Sequence, residues 1–278
     1  MKLNSIRMAA CVAMLVLSAS EVYAQDQEIR VFSHRGGRME HDENTMQAFR
    51  ASYDAGYRGF ETDFRMTKDG ELVVTHDSSL ERTTNGTGII EEKTLAEVRK
   101  LSTKQGNKML TLDELMEFLR DKEGLYVEFE MKTKPEELYP ADRLAMYCDK
   151  LYETVTASQP ADALFVFTSA DTRALRYMQQ HHPDAELLLI TSKPCCDETI
   201  ALCKALGIPR LGAKMGGTSR DAVQKAHKEG LTVSLWPGQS TADFMLGTYL
   251  GADYMCTDVP IMLKEWIAKN TPELNVKY

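Results

Sequence analysis

Residues 29–65 read IRVFSHRGGRMEHDENTMQAFRASYDAGYRGFETDFR. The segment opens with an apolar run, Ile29 to Ser33, and closes with a second one, Phe60 to Arg65. Between the two runs, Thr45 to Ala55 has helical periodicity and stops at Gly56. Apolar strand-like runs that alternate with helical patterns are typical of parallel strands joined by crossovers. The segment therefore predicts a parallel α/β fold.

The same alternation continues along the chain. Six further strand-like runs are Leu125 to Met131, Leu164 to Thr168, Leu187 to Thr191, Leu211 to Met215, Leu231 to Trp236 and Tyr254 to Thr257. Six further helical segments are Thr111 to Asp121, Pro140 to Ala157, Asp171 to His181, Cys196 to Gly207, Ser219 to Gly230 and Thr241 to Gly251. Eight strand-helix units in about 250 residues predict a (β/α)8 TIM barrel, with a doubly wound open sheet as the alternative.

One region does not fit a plain repeat. After the Lys68-Asp69-Gly70 turn, Glu71 to His76 is predicted to form a return strand, and Leu95 to Leu101 a short helix. We interpret residues 71–110 as a small insertion after strand two, on the catalytic face of the barrel. Residues 25–278 are then predicted to form a single domain.

The first 24 residues have the pattern of a secretory signal peptide. Lys2 and Arg7 precede an apolar run from Met8 to Ser18, and Val22-Tyr23-Ala24 provides a cleavage site before Gln25. The apolar run is shorter than the roughly 20 residues that span a bilayer, which disfavours a membrane anchor. We therefore expect cleavage after Ala24 and a periplasmic or secreted protein.

The charge balance limits the class of partner. Without residues 1–24 the chain has 31 basic and 40 acidic residues, a formal net charge of −9. An acidic protein is poorly suited to bind nucleic acid or an anionic membrane. We expect a small-molecule substrate, and any positive charge that binds an anion must be local.

The remaining cysteines are Cys148, Cys195, Cys196, Cys203 and Cys256. Their spacing does not resemble a zinc site. An odd number allows at most two internal disulfides, and adjacent cysteines bond each other only with strain. We expect mostly buried thiols, with room for one bridge such as Cys195 or Cys196 to Cys203.

Acidic side chains recur at the ends of the predicted strands. Glu61 and Asp63 are two residues apart, so they point to the same side of a strand, and Glu130 and Lys132 share one side of the next barrel strand. Carboxylates that lie so close together repel each other unless a cation lies between them. Three carboxylates are hard oxygen ligands, which predicts one divalent cation, Mg²⁺ or Ca²⁺, rather than zinc.

Two histidines accompany these carboxylates. His34 is followed by Arg35-Gly36-Gly37, where glycine allows the backbone to approach a ligand, and His76 precedes Asp77, which could orient its ring. Because imidazole transfers protons near neutral pH, we predict that His34 and His76 form an acid-base pair. The other histidines are expected to have no role in the site: His41, His181, His182 and His227.

Nine short motifs occur in a fixed order: His34-Arg35-Gly36, Glu43-Asn44-Thr45, Glu61-x-Asp63, Lys68-Asp69-Gly70, Val74-x-His76-Asp77, Arg82-Thr83-Thr84, Thr111-Leu112-x-Glu114, Glu130-x-Lys132 and Thr257-Asp258-x-Pro260. In order and spacing this set resembles the glycerophosphodiester phosphodiesterases. The resemblance extends from about residue 29 to residue 260, nearly the whole chain after the predicted signal peptide.

The resemblance implies a (β/α)8 barrel that hydrolyses glycerophosphodiesters to glycerol 3-phosphate and an alcohol. It also implies attack by the glycerol 2-hydroxyl, which gives a cyclic phosphate that water then opens. By position, the implied residues are Glu61, Asp63 and Glu130 for the metal, His34 and His76 for proton transfer, Arg35 and Lys132 for the phosphate, and Glu43, Asn44 and Asp77 in supporting roles.

The chain departs from the family pattern at three places. Asp42 replaces a usual proline, Phe167-Thr168-Ser169 replaces a serine-phenylalanine pair, and Pro237-Gly238-Gln239 follows Trp236. Trp236 is expected either to wall the substrate pocket or to pack the barrel. Two alternatives to the hydrolase remain: a phospholipase or phosphoinositide phosphodiesterase on a related barrel, and a phosphodiester-binding protein without turnover.

Overall fold

The computed structural model describes residues 28–278. In this part of the chain the strands are β1 (Ile29–His34), β2 (Gly59–Met66), β3 (Leu72–Val74), β4 (Tyr126–Met131), β5 (Leu164–Ser169), β6 (Glu186–Pro194), β7 (Arg210–Lys214), β8 (Thr232–Gly238), β9 (Tyr254–Thr257) and β10 (Val276–Lys277). All except β3 and β10 form a parallel barrel, which closes because β1 pairs with both β2 and β9. The predicted TIM barrel is confirmed, and the open sheet is excluded.

Helices connect the barrel strands and cover the outside of the barrel. They are α1 (Met46–Asp54), α2 (Leu95–Val98), α3 (Leu112–Leu119), α4 (Ala141–Ala157), α5 (Thr172–His181), α6 (Asp197–Leu206), α7 (Arg220–Lys228), α8 (Thr241–Leu250) and α9 (Pro260–Asn270). Several begin at a side chain that caps the free backbone N–H groups of the first turn: Thr45, Thr94, Thr111, Asp171, Ser219 and Ser240.

Successive residues of a barrel strand belong to two different environments. In β2, Phe60 and Phe64 pack in the apolar layer between the strands and the helices. Glu61 and Asp63, on the other side of the strand, are buried inside the barrel. The period of two along the strand therefore delivers both carboxylates to the interior.

The insertion after β2 is present. β3 pairs antiparallel with β2, and the predicted helix from Leu95 to Leu101 is shorter, ending at Val98. The insertion has a small apolar core of its own: Val73, Leu80, Ile90, Val98 and Met109. This core holds the segment against the barrel without a second domain.

Two elements near the C-terminus were not among the sequence predictions. Helix α9 follows Thr257-Asp258 and starts at Pro260, and strand β10 adds to the edge of β1 through the pair Ile29 and Val276. A two-residue strand has too few residues to show a period, so sequence patterning could not reveal it.

The predicted signal peptide lies outside the described residues. Within residues 28–278, no helix has both the length and the apolarity needed to cross a membrane. The five cysteines in this range are free thiols, so the bridge considered for Cys203 is not present. Four of them are buried, and Cys196 is partly exposed.

Candidate active site

The loop after β1 has a tightly constrained backbone. Arg35 adopts φ 53°, and Gly36 and Gly37 follow with φ 78° and 96°. A Cβ atom on Gly36 would lie 2.6 Å from Cβ of Ala48 on α1, so only glycine fits between the loop and the helix. This close packing fixes the direction in which His34 and Arg35 leave the strand.

Three carboxylates meet inside the barrel. One oxygen each from Glu61, Asp63 and Glu130 lies within 4.8 Å of the others, and all three residues are buried. Asp63 and Glu130 are register partners on β2 and β4. Oε1 of Glu61 is buried and has no hydrogen-bond partner among the described residues. A buried carboxylate oxygen normally has such a partner, so this oxygen is suited to bind a cation.

Two cations lie against the carboxylates. Nζ of Lys132 is 2.7 Å from Oε1 of Glu130 and 3.2 Å from Oδ1 of Asp63, and Nε of Arg35 is 3.1 Å from Oδ2 of Asp63. Asn44, also in the left-handed region at φ 59°, donates from Nδ2 to Oδ2 of Asp63 at 2.9 Å. Two positive side chains do not balance three ionised carboxylates, so the net charge of the cluster favours one more cation.

The protonation of the carboxylates agrees with this charge balance. Burial, together with Asp63 and Glu130, raises the pKa of Glu61 well above its usual value. Burial also acts to raise the pKa of Asp63, but Lys132 and Arg35 outweigh it and hold that pKa well below its usual value. The residues present therefore fit a divalent cation bound by oxygen, which would favour the ionised form of Glu61.

Both histidines are anchored in the same way. Nδ1 of His34 is 2.5 Å from Oδ1 of Asp258, and Nδ1 of His76 is 2.6 Å from Oδ1 of Asp77. An ionised carboxylate only accepts hydrogen bonds, so each Nδ1 must donate and each Nε2 is the free, basic nitrogen. Nε2 of His34 lies 3.5 Å from Oε2 of Glu61.

The pKa values of the two pairs follow from their surroundings. Burial lowers the pKa of His34 and of His76, although each has an acidic partner. Burial acts to raise the pKa of Asp258, but the hydrogen bonds and positive charge of His34 and Arg38 outweigh this effect and hold the pKa at about 2. Each pair is therefore a neutral imidazole beside an ionised carboxylate at neutral pH.

A chain of ion pairs joins the insertion to the barrel. Arg82 donates from both terminal nitrogens to Glu43, at 2.8 and 2.7 Å, and from Nε to Asp77. Glu43 also accepts from Arg35 at 3.1 Å. Arg82 thus links the carboxylate that orients His76 to the carboxylate that holds Arg35.

These groups surround a cavity of about 210 Å³. The predicted residues that line it are His34, Arg35, Glu61, His76, Glu130, Lys132 and Trp236. Asp63, Glu43 and Asn44 are not part of the lining and contact those that are. The indole Nε1 of Trp236 is buried with no partner among the described residues, so it could donate to a ligand.

The strand predicted to end at Trp236 continues beyond that residue. Pro237 and Gly238 belong to strand β8, which runs to Gly238. A Cβ atom on Gly238 would lie 2.6 Å from the carbonyl oxygen of Cys256, so β8 and β9 approach closely here. The departure from the family pattern is therefore in the barrel wall.

The family model for the glycerophosphoryl diester phosphodiesterase family matches residues 34–262. The chain belongs to this family. Its residues His34 to Asp258, which form the site described above, all lie within the matched range.

Known phosphodiesterases resemble the chain over different lengths. A glycerophosphodiester phosphodiesterase of Caldanaerobacter subterraneus is 40% identical over 110 residues, which cover 37% of this chain and 45% of that protein. One of Bacillus altitudinis is 26% identical over 242 residues, 83% of this chain and 95% of the relative. The structure of an Oleispira antarctica phosphodiesterase in complex with the product sn-glycerol-3-phosphate has a TM-score of 0.78 at 22% identity, covering 86% and 97% of the two chains.

Three residues of this phosphodiesterase site had no role in the sequence predictions. Asp258 and Arg82 were part of the motifs, but Asp258 is 224 positions from His34 and Arg82 is 39 positions from Glu43. Glu128, which also lines the cavity, has the same strand parity as Glu130, and that signal was available. Burial raises the pKa of Glu128 to about 7.

The remaining histidines lie elsewhere in the molecule. His181 and His182 stack on Tyr177 and Tyr152, and His227 pairs with Asp253 at 2.8 Å. None of the three lines the cavity, and neither does His41.

Proposed function

We propose that the chain hydrolyses glycerophosphodiesters with a bound divalent cation, using His34 and His76 as acid and base. The observation that carries the proposal is a pair of imidazoles, each anchored through Nδ1, that line one cavity with two cations, beside a cluster of three carboxylates. The structure of the Oleispira antarctica phosphodiesterase with its product sn-glycerol-3-phosphate supports the substrate class.

The carboxylates would hold the cation. Glu61, Asp63 and Glu130 offer hard oxygen ligands, which suit Mg²⁺ or Ca²⁺. When bound, such an ion offsets negative charge on a phosphate and lowers the pKa of a hydroxyl group beside it.

Arg35 and Lys132 act on the phosphate. Both line the cavity and are held by acidic partners before any substrate arrives. Charge builds up on the phosphoryl oxygens during in-line displacement, and preformed cations stabilise it without reorganisation. Both side chains keep their positive charge, because their acidic neighbours raise the pKa of each against the effect of burial.

The histidines move the protons. One free Nε2 takes the proton from the attacking glycerol 2-hydroxyl, and the other histidine, which first takes up a proton from solvent at its own Nε2, gives that proton to the leaving alkoxide. The P–O bond to the alcohol breaks as the bond to the 2-oxygen forms, which leaves a cyclic phosphate. Water then opens the ring to glycerol 3-phosphate, with the two proton transfers reversed.

The proposal is tested with glycerophosphocholine and an analogue that has sulfur in place of the leaving oxygen. His34→Ala and His76→Ala should each lower kcat on the normal substrate by roughly 100- to 10,000-fold. A thiolate leaves without protonation, so the variant that lacks the acid should recover on the sulfur analogue, and the other should not. A binding protein without turnover would show no activity in the wild type, and full activity in excess EDTA would contradict the metal.

We also propose that the enzyme is exported after cleavage behind Ala24. The support is the charged start, the apolar run and the small residues of the first 24 positions. Mass determination of the mature protein, together with fractionation of expressing cells, tests this proposal. An intact N-terminus on active protein in the cytoplasm would contradict it.

A further inference from the structure

The cavity continues below the residues assigned to the cation and the phosphate. Its inner lining comes from positions one level deeper in the barrel: Phe32, Glu128, Gly212, Ser234 and Cys256. Phe32 and Cys256 are register partners on β1 and β9, and Gly212 and Ser234 are partners on β7 and β8. The inner end is therefore a defined layer of the barrel.

Glu128 is the carboxyl group of this inner layer. The residue is 3% exposed, and one carboxyl oxygen accepts a hydrogen bond from the hydroxyl of Tyr126 at 2.5 Å. An apolar side chain would fill the layer without the desolvation cost of a carboxyl group. A carboxyl group also has acceptor positions beyond the one that Tyr126 occupies, in either protonation state.

The inner end has a closed floor and small walls. Tyr126 packs against Phe32 and Tyr254, with ring centroids 5.4 and 4.8 Å apart, and closes the barrel below the cavity. On the opposite side, a Cβ atom on Gly212 would lie 2.9 Å from Cδ2 of Leu188, so this position accepts no larger residue without movement. A closed end of fixed depth suits the constant part of a substrate, whereas a variable group needs the open side.

The depth fits a three-carbon polyol. Glu128 precedes Glu130 by two residues on β4, which places it about 6.6 Å deeper along the strand. We infer that Glu128 is a specificity-determining residue that accepts a hydrogen bond from the terminal free hydroxyl of the glycerol moiety. The inference rests on the proposed function, and it names the feature of the substrate that the inner end recognises.

The test compares two substrates of the holoenzyme. One is glycerophosphocholine, and the other is the matching diester of propane-1,2-diol, which keeps the 2-hydroxyl and has a methyl group in place of the terminal CH₂OH. Wild type should prefer the glycerol diester in kcat/KM by roughly 10- to 100-fold, because the analogue leaves the buried acceptor without a partner. In Glu128→Leu the preference should fall to less than threefold.

Two further variants separate recognition from structure. Glu128→Gln retains an acceptor oxygen and should keep most of the preference, and Tyr126→Phe removes only the internal partner and should keep it as well. Glu128→Asp withdraws the acceptor by one methylene group and should lose the preference, which gives a second reading if the leucine variant does not fold.

The outcomes distinguish a failure of the role assigned to Glu128 from a failure of the proposed function. Equal turnover of both substrates by wild type, or a preference that is unchanged in Glu128→Leu and Glu128→Asp, overturns the inference and leaves the proposed function intact. A change in discrimination between choline and ethanolamine esters, with the glycerol preference retained, would place Glu128 at the alcohol side and also overturn it. No turnover of either substrate by wild type with Mg²⁺ or Ca²⁺ contradicts the proposed function, and the inference fails with it.

Discussion

At the scale of single residues, the partner of His34 determines what its imidazole can do. Asp258 accepts from Nδ1 and is itself held by Arg38 at 2.8 Å, so the ring has one orientation and one neutral tautomer. The same arrangement in His76 and Asp77 gives the cavity two basic nitrogens.

Asp258→Asn should lower kcat by at least about 100-fold with little change in KM. The amide of asparagine can donate to Nδ1, which moves the imidazole proton to Nε2 and blocks the basic position. Steady-state kinetics on glycerophosphocholine measure the effect. Asp149→Asn is the control, because Asp149 accepts from His182 at 2.7 Å away from the cavity. A kcat of Asp258→Asn within threefold of wild type would show that catalysis does not need the pair of His34 and Asp258.

Sequence reasoning found some of these residues and missed others for a physical reason. Glu61 and Asp63 could be grouped because strand parity is local. Asp258 is 224 positions away from His34, and only closure of the barrel brings the two side chains together. Such long-range neighbours have no signature in the pattern of one chain.

At the scale of elements, the loop between β1 and α1 is the most constrained part of the site. Gly36 combines a positive φ with a contact to the helix. Gly106, in the insertion, also has a positive φ, of 88°, but nothing lies within 4 Å of a Cβ atom added there. A comparison of alanine variants at these two glycines therefore separates the cost of backbone strain from the cost of steric overlap.

Gly36→Ala should lower the free energy of unfolding by roughly 2 to 4 kcal/mol, because the new methyl group adds overlap to backbone strain. Gly106→Ala should lower it by only about 1 kcal/mol. Urea unfolding at equilibrium measures both values. Equal losses in the two variants would mean that the contact with α1 is not limiting.

We expect the insertion to influence catalysis through Arg82. Arg82→Gln should lower kcat by about 10-fold, because Asp77 and Glu43 lose the group that holds them. Arg82→Lys should recover only part of this loss, since an ammonium cannot make the paired bonds of a guanidinium. The kcat values of both variants on glycerophosphocholine measure the effect.

Arg99→Gln is the matched control for Arg82. Arg99 also belongs to the insertion, pairs with Glu114 at 2.9 Å and does not line the cavity. Both glutamine variants should change the free energy of unfolding by less than about 1 kcal/mol, as expected for exposed ion pairs. A similar kcat in the two variants would contradict a positioning role for Arg82.

At the scale of the whole molecule, the cation should stabilise the fold. Each proposed ligand comes from a barrel strand, so cation binding would oppose the separation of β2 from β4. Addition of Mg²⁺ or Ca²⁺ at about 100 times the Kd should raise the free energy of unfolding by about 2.7 kcal/mol, and Tm should rise by about 5 °C. Differential scanning calorimetry measures the shift.

Glu61→Gln should abolish this rise in Tm, because the amide is a poor ligand for a hard cation. NaCl at matched ionic strength controls for general screening and should leave Tm almost unchanged in both proteins. A full metal-dependent rise in the variant would exclude Glu61 as a ligand, whatever its effect on turnover.

Much of the architecture was predictable because the barrel strands contain apolar runs and most helices have a side-chain cap or a glycine at one end. Helices α4 and α9 have neither. The closure of the barrel was predictable only from the number of units. The position of β10 and the shared wall of β8 and β9 depend on contacts between distant segments, which periodicity does not record.

The pairing of β1 with β9 has a consequence for the order of events during folding. Because the pairing of β1 with β9 and the contact of His34 with Asp258 join distant parts of the chain, we expect the orientation of His34 to be among the last features to form. In a refolding experiment, helical circular dichroism should recover before hydrolysis does. Hydrolytic activity should therefore report the completion of the barrel. A nascent chain that ends before Asp258 should be inactive, whatever its content of secondary structure.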